Sequence, residues 1–183
     1  MHISWSWREH YGNSPFVRPS YAYSSDRDLI FYRADGMQYQ LPVTVNDSGL
    51  LFPDRLDGQL TSPLAYLSAD PNGIPYVVTL EKGKSSEVRY FKRQASRWSD
   101  PEPMPEGAQL MEIDDTGRQW GFATGLKIFA RSGPSQRWQK VYEDKGEIRF
   151  GYFKVLNIRK QNEFLVYSQS VDGEYAKVYQ IRL

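Results

Sequence analysis

Arg8, Glu9, His10 and Tyr11 form the densest run of reactive side chains in the sequence. Arg18 and Tyr21 follow after a short turn and arrive beside that run. A guanidinium grips a carboxylate through two parallel hydrogen bonds, so Arg8 or Arg18 is suited to an acidic ligand. Imidazole and phenol groups donate, accept and exchange protons. The candidate site residues are Arg8, Tyr21 and His10, as candidate catalytic groups, with Glu9, Tyr11 and Arg18 as candidate substrate-binding groups. A structural reading competes with this one: Arg8–Glu9 as an ion pair and Tyr21 as a core residue.

These residues need elements to hold them. His2 to Arg8 alternates with period two, with Ile3, Trp5 and Trp7 on one side and Ser4, Ser6 and Arg8 on the other. That is the pattern of a pleated strand. Gly12, Asn13 and Pro15 turn the chain, and Ser20 to Ser24 reads as the answering strand. Residues 24–31 have the spacing of an Asp box, with Ser24 and Asp26 kept and Asp28, Ile30 and Phe31 at the usual Gly, Thr and Trp positions. Asp35-Gly36 predicts a turn, and Met37 to Val45 a further strand. Asn46 to Ser62 is the longest irregular connection, and such connections are functional or simply loose. With the connection between Trp7 and Tyr21, it is expected to open on one face, where a groove would lie.

From residue 62 the chain repeats. Asp70, Gly73, Tyr76 and Val78 are answered forty-four residues on by Asp114, Gly117, Trp120 and Phe122. Phe164 and Val166 then take the places of Trp120 and Phe122, although the glycine position is Gln161. Third strands follow near Val88–Phe91, Leu126–Phe129 and Ala176–Tyr179, and fourth strands start at Arg97-Trp98 and Arg137-Trp138. A period in the forties with four short strands is the signature of a propeller blade. The expected fold is all-β: a β-propeller of four-stranded antiparallel blades, about four of them in this chain. Residues 1–183 are expected to form one partial propeller domain, with blades near 1–61, 62–105, 107–145 and 147–183. The regularly spaced aromatics Trp5, Tyr76, Trp98, Trp120, Trp138 and Phe164 are read as packing between blades.

Composition narrows the function. The formal net charge of the 183 residues is +1, which argues against nucleic acid and an anionic membrane surface as partners. No apolar run is long enough to span a bilayer. There is no cysteine and there are only two histidines, so no metal site and no cofactor are expected. Gly83-Lys84-Ser85 lacks the upstream glycine of a phosphate loop. No leader peptide is visible, because a strand starts directly after Met1, and the chain is expected to lack an N-terminal portion.

His2-Ile3-Ser4-Trp5-Ser6-Trp7-Arg8-Glu9, Tyr21-Ala22-Tyr23-Ser24-Ser25-Asp26 and Asp35-Gly36 resemble the BNR-repeat propeller family often described as neuraminidase-like. Residues 2–36 carry the specific match, and the later blades agree in repeat pattern. The resemblance implies part of a seven-bladed ring, and a secreted or periplasmic protein acting on or binding acidic, uronate-containing polysaccharide. It is similar to ulvan and rhamnose–glucuronate lyases. In such lyases a His or Tyr removes the C5 proton or protonates the leaving oxygen, and an Arg neutralises the uronate carboxylate. One departure stands out: family members often carry Asn-His-Asp before the Tyr-Ala pair, where this chain has Phe16-Val17-Arg18.

Three readings remain open: a lyase or glycosidase with Arg8 and Tyr21 in the site, an inactive glycan-binding or interaction propeller, and a truncated ring that self-associates through open blade edges.

Overall fold

In the computed structural model, the described residues are 1–8, 16–24, 30–44, 46, 66–80, 85–145, 150–158 and 163–182. They form antiparallel strands and one 3₁₀ turn, Arg93–Ala95. The fold is all-β, and its sheets are the blades of a partial propeller. The chain divides into two compact units, Met1–Leu67 with Ile74–Pro103, and Ser68–Gly73 with Met104–Leu183.

In the first unit, β1 (His2–Arg8) pairs antiparallel with β2 (Phe16–Tyr23). β2 begins at Phe16, earlier than the alternation at Ser20 to Ser24 suggests, because pairing with all of β1 extends it. Bridges from Tyr23 to Tyr32 and from Tyr32 to Gln38 continue the ladder. The strand expected over Met37 to Val45 is reduced to the Gln38 bridge. Pro42 has no amide hydrogen to give to a ladder, so pairing stops short of it. The turn before it forms as expected, with Gly36 at φ +88° and the Asp35 carboxylate accepting from the Met37 amide at 3.0 Å.

The next sheet runs in the order β3 (Tyr66–Ala69), β4 (Pro75–Thr79), β5 (Glu87–Lys92), β6 (Arg97–Trp98), with β7 (Glu102–Pro103) also on β5. Every residue of β4 is buried, as in a strand covered on both faces. Tyr21 and Val77 form a buried cluster of the first unit, with Tyr23, Ala34, Leu67 and Trp98 packed around it. The Trp98 ring meets Tyr21 edge-on at 5.5 Å and Phe91 edge-on at 5.6 Å.

The second unit holds two sheets. One has the order β8 (Ala108–Ile113), β9 (Gln119–Ala123), β10 (Lys127–Arg131), β11 (Gln139–Glu143). The other has the order β12 (Phe150–Ile158), β13 (Glu163–Ser170), β14 (Ala176–Arg182). β9 is wholly buried, and Phe164 of β13 sits edge-on to Trp120 at 5.8 Å and to Phe122 at 5.6 Å. The residues matched by the repeat thus lie on the second strand of their sheets, and in the second unit Phe164 packs edge-on against Trp120 and Phe122. The Asn157 amide ties β12 to β8 by donating to the Ile113 carbonyl at 2.9 Å.

The repeat also sets the turns. Gly73 and Gly117 both have positive φ, at +72° and +84°, and each amide donates to the carbonyl of an aspartate three residues back, Asp70 or Asp114. Asp114 does more. Its Oδ1 accepts from the Thr116 amide at 2.9 Å, the Thr116 hydroxyl at 2.6 Å and the Arg118 amide at 3.0 Å, and its Oδ2 from the Trp120 indole at 2.9 Å. One carboxylate therefore closes the β8–β9 turn and fixes the ring on which Phe164 rests. Arg118 covers that ring with its guanidinium carbon 4.7 Å from the centroid.

Burial pushes the Asp114 pKa up, but the bonds from Thr116, Trp120 and Arg118 together outweigh it and hold the pKa below the usual carboxylate value. Asp114→Ala is expected to cost about 2 kcal/mol or more, because charge-assisted bonds are lost and a buried indole is left without an acceptor. Asp114→Asn is expected to cost about half as much, since its amide oxygen can serve the turn while its nitrogen meets the indole as a second donor. Urea unfolding of both variants measures the difference. With the folded pKa depressed, the carboxylate contributes fully above its unfolded value of about 4, and the contribution is lost as pH falls through the lower folded value. Asp114→Asn is expected to flatten that acid limb.

Candidate functional site

The amino-terminal hairpin is irregular at Arg18, one of the candidate residues. Trp5 faces Ser20, but Trp7 faces Val17, so Ser6 alone stands opposite both Arg18 and Pro19. This is a β-bulge, with the extra residue on β2. Arg18 takes φ +52°, a left-handed conformation that costs a residue with a Cβ roughly 1–2 kcal/mol. Local bonds hold it there. The buried Ser20 hydroxyl donates to the Arg18 carbonyl at 3.1 Å and accepts from the Trp7 indole at 3.0 Å. Bulges re-aim side chains and gather beside active sites, and strained backbone does the same. Arg18 is half-buried on this bulge.

The other face of the hairpin carries a ring cluster. His2 stands opposite Tyr23 and diagonal to Tyr21. Its ring lies 5.9 Å from Tyr21 and 6.3 Å from Tyr23, and its Nδ1 is 2.5 Å from the Tyr21 hydroxyl. Tyr21 is 1% exposed, and its carbonyl accepts from the Tyr39 hydroxyl at 2.7 Å. Burial above all, and Tyr23 next, push the Tyr21 pKa up, while Arg93 opposes them. The phenol therefore keeps its proton, and its hydroxyl shares a hydrogen bond with His2 Nδ1. His2 itself is only partly buried.

The candidate residues thus occupy distinct places. Arg8 ends β1, where its backbone pairs with Phe16. Arg18 is the bulge residue. Tyr21 belongs to the buried cluster and reaches His2 rather than lining an open groove. Glu9, His10 and Tyr11 lie outside the described residues, as do Asp26 of the Asp-box spacing and residues 47–62 of the long connection. His2 was read from the sequence as a plain strand residue; its signal was a diagonal cross-strand relation that needs the register to be known. Arg93 comes from the 3₁₀ turn between β5 and β6 and had no signal in sequence. No group of three metal-ligating side chains gathers among the described residues.

The sequence profile of a BNR repeat-containing family member matches residues 1–103. Among solved structures, the polysaccharide lyase Uly1 superposes with a TM-score of 0.67 at 16% identity, covering 99% of this chain. The chain spans 43% of that lyase's length. A luciferin-regenerating enzyme matches with a TM-score of 0.39 at 12% identity, over 98% of this chain and 78% of its own. No curated protein matches the sequence.

At most strand positions glycine is less stable than alanine. At position 18 the order is expected to reverse, with Arg18→Gly about 1 kcal/mol more stable than Arg18→Ala because glycine adopts positive φ without penalty. Chemical denaturation of the two variants decides it, and equal stabilities would show that the bulge relaxes.

Proposed function

The chain belongs to the BNR repeat-containing family, and from that premise we propose that it acts on or binds acidic, uronate-containing polysaccharide. The observation that carries this reading is the hydrogen bond between His2 and Tyr21, set in a fold that a polysaccharide lyase shares. A secreted or periplasmic location goes with the reading, since such polymers lie outside the cell.

The chemistry would be β-elimination. A base takes the C5 proton, the C5–H electrons form the C4–C5 double bond, and the C4–O4 bond breaks. The departing oxygen keeps that bond's electron pair and takes a proton from an acid. Neutralising the uronate carboxylate acidifies C5, a task suited to Arg8 or to Arg18 on its bulge. His2 is the accessible proton carrier of the hydrogen-bonded pair, and Tyr21 is its positioning residue, fixing the ring from within the core. His10 is a second candidate carrier from the same sequence cluster.

One observation favours a second reading, a glycan-binding propeller without turnover. Tyr21 is 1% exposed, and the family's histidine is absent at Phe16-Val17-Arg18. A phenol so enclosed cannot itself reach a substrate.

The test is the ultraviolet absorbance of unsaturated uronate product, run beside binding of the intact polymer. Under the lyase reading, Arg8→Ala is expected to lose binding and turnover together. His2→Ala is expected to lose turnover while keeping binding, and Tyr21→Phe to lower kcat and move its pH profile with little change in KM. Binding without product in the wild-type chain would select the second reading. Wild-type polymer binding in Arg8→Ala, together with an unchanged kcat and pH profile in Tyr21→Phe, would remove these residues from the site.

A further inference from the structure

A cavity of about 390 Å³ opens in the second unit beside β10, β11 and β14. It lies in the size range of small-ligand pockets. Trp120, Tyr142 and Tyr179 supply aromatic walls, and Val141 and Ile181 aliphatic ones. Val141 and Tyr142 are 46% and 44% exposed, so the mouth presents an apolar side chain and an aromatic ring to solvent. None of this serves the hairpin chemistry of the first unit.

The charges around the cavity are already matched. Arg182 at its rim bonds Glu163 at 3.1 Å, and Gln180 donates to the same carboxylate at 2.8 Å. The Tyr179 hydroxyl donates to Asp144 at 2.6 Å, and Lys177 lies 3.8 Å from that aspartate. A charged ligand would compete with these partners, whereas a neutral one leaves both ion pairs in place. A purely aliphatic ligand would leave the Tyr142 hydroxyl at the mouth unused, while Tyr179 and Gln180 already donate to Asp144 and Glu163. The lining suits a neutral ring with apolar faces and a hydroxylated edge. Such a ring covers aromatic faces with its C–H groups and offers its hydroxyls to the polar rim.

We propose that this cavity is a subsite for an uncharged sugar residue of the polysaccharide, held against Tyr142. The choice of a sugar rests on the polysaccharide reading above; the neutrality of the ligand rests on the matched charges alone.

The experiment is saturation-transfer NMR on the full chain with methyl β-D-glucoside, methyl β-D-galactoside and methyl α-L-rhamnoside, and with methyl β-D-glucuronoside as the charged counterpart. At least one neutral glycoside is expected to bind. Tyr142→Ala is expected to weaken that binding about tenfold, as truncation of an aromatic anchor does. Tyr142→Phe is expected to retain most of it, and Arg8→Ala all of it. The half-exposed position of Tyr142 makes its variants mild for folding, and Val141→Trp provides a second block by filling the mouth. Binding of no neutral glycoside would overturn the proposal. So would wild-type binding in both Tyr142→Ala and Val141→Trp, or a glucuronoside that binds through Tyr142 better than the neutral sugars. Neutral sugar bound through Tyr142 without any uronate binding or cleavage would support the subsite while the uronate reading falls. Arg8-dependent handling of the polymer, with no neutral glycoside bound, would do the reverse.

Discussion

The burial of Tyr21 is the constraint on which the amino-terminal hairpin depends. Its ring fills the space between β2 and Trp98, its carbonyl takes the Tyr39 hydroxyl, and its own hydroxyl meets His2. A phenol taken so far out of water must be hydrogen-bonded, and the partner it finds is the imidazole on the neighbouring strand. That single requirement fixes the register of β1 against β2. A one-residue slip would turn Tyr21 to the opposite face and leave both the hydroxyl and the core unsatisfied. It also sets the chemistry: a buried phenol that keeps its proton can orient an imidazole, while the more exposed imidazole can meet a ligand.

With the register held there, the extra residue of β2 must be absorbed further along, and Arg18 absorbs it. The bulge places a non-glycine residue at positive φ, and a buried serine and an indole hold it. A strained arginine held in place by a dedicated hydrogen-bond chain is costly as mere structure.

The second unit depends on a different device. Asp114 gathers the donors of its turn and the indole of Trp120, and Trp120 in turn supports Phe164 of the following sheet. The same turn with Asp70 and Gly73 shows that the repeat is a repeat of hydrogen-bonding geometry as well as of apolar positions. Where the repeat varies, packing compensates. Phe91 lies edge-on to Trp98 in one sheet, while Arg131 lies over Trp138 at 4.5 Å in another. An aromatic contact and a cation–π contact occupy corresponding places because both cover an indole with a flat group.

The sequence alone determined the all-β class, the four-strand unit and its period, and the aspartate–glycine turns. These follow from local alternation, from turn residues whose backbone preferences are intrinsic, and from apolar positions that recur at a fixed interval. It also put Arg8 on one strand of a hairpin and Tyr21 on the other, as the pairing of β1 with β2 has them. It overextended the strand after Gly36, since residues 37–45 alternate well enough but Pro42 cannot join a ladder. Only the tertiary structure decided which of the marked residues face inward. Tyr21 went to the core because Val77 and Trp98, far along the chain, cover it. His2 became its partner because a diagonal contact exists only once two strands are in register, and Arg93 came within electrostatic range from the 3₁₀ turn between β5 and β6. Burial, register and long-range charge depend on distances between residues far apart in sequence, and a linear pattern does not contain those distances.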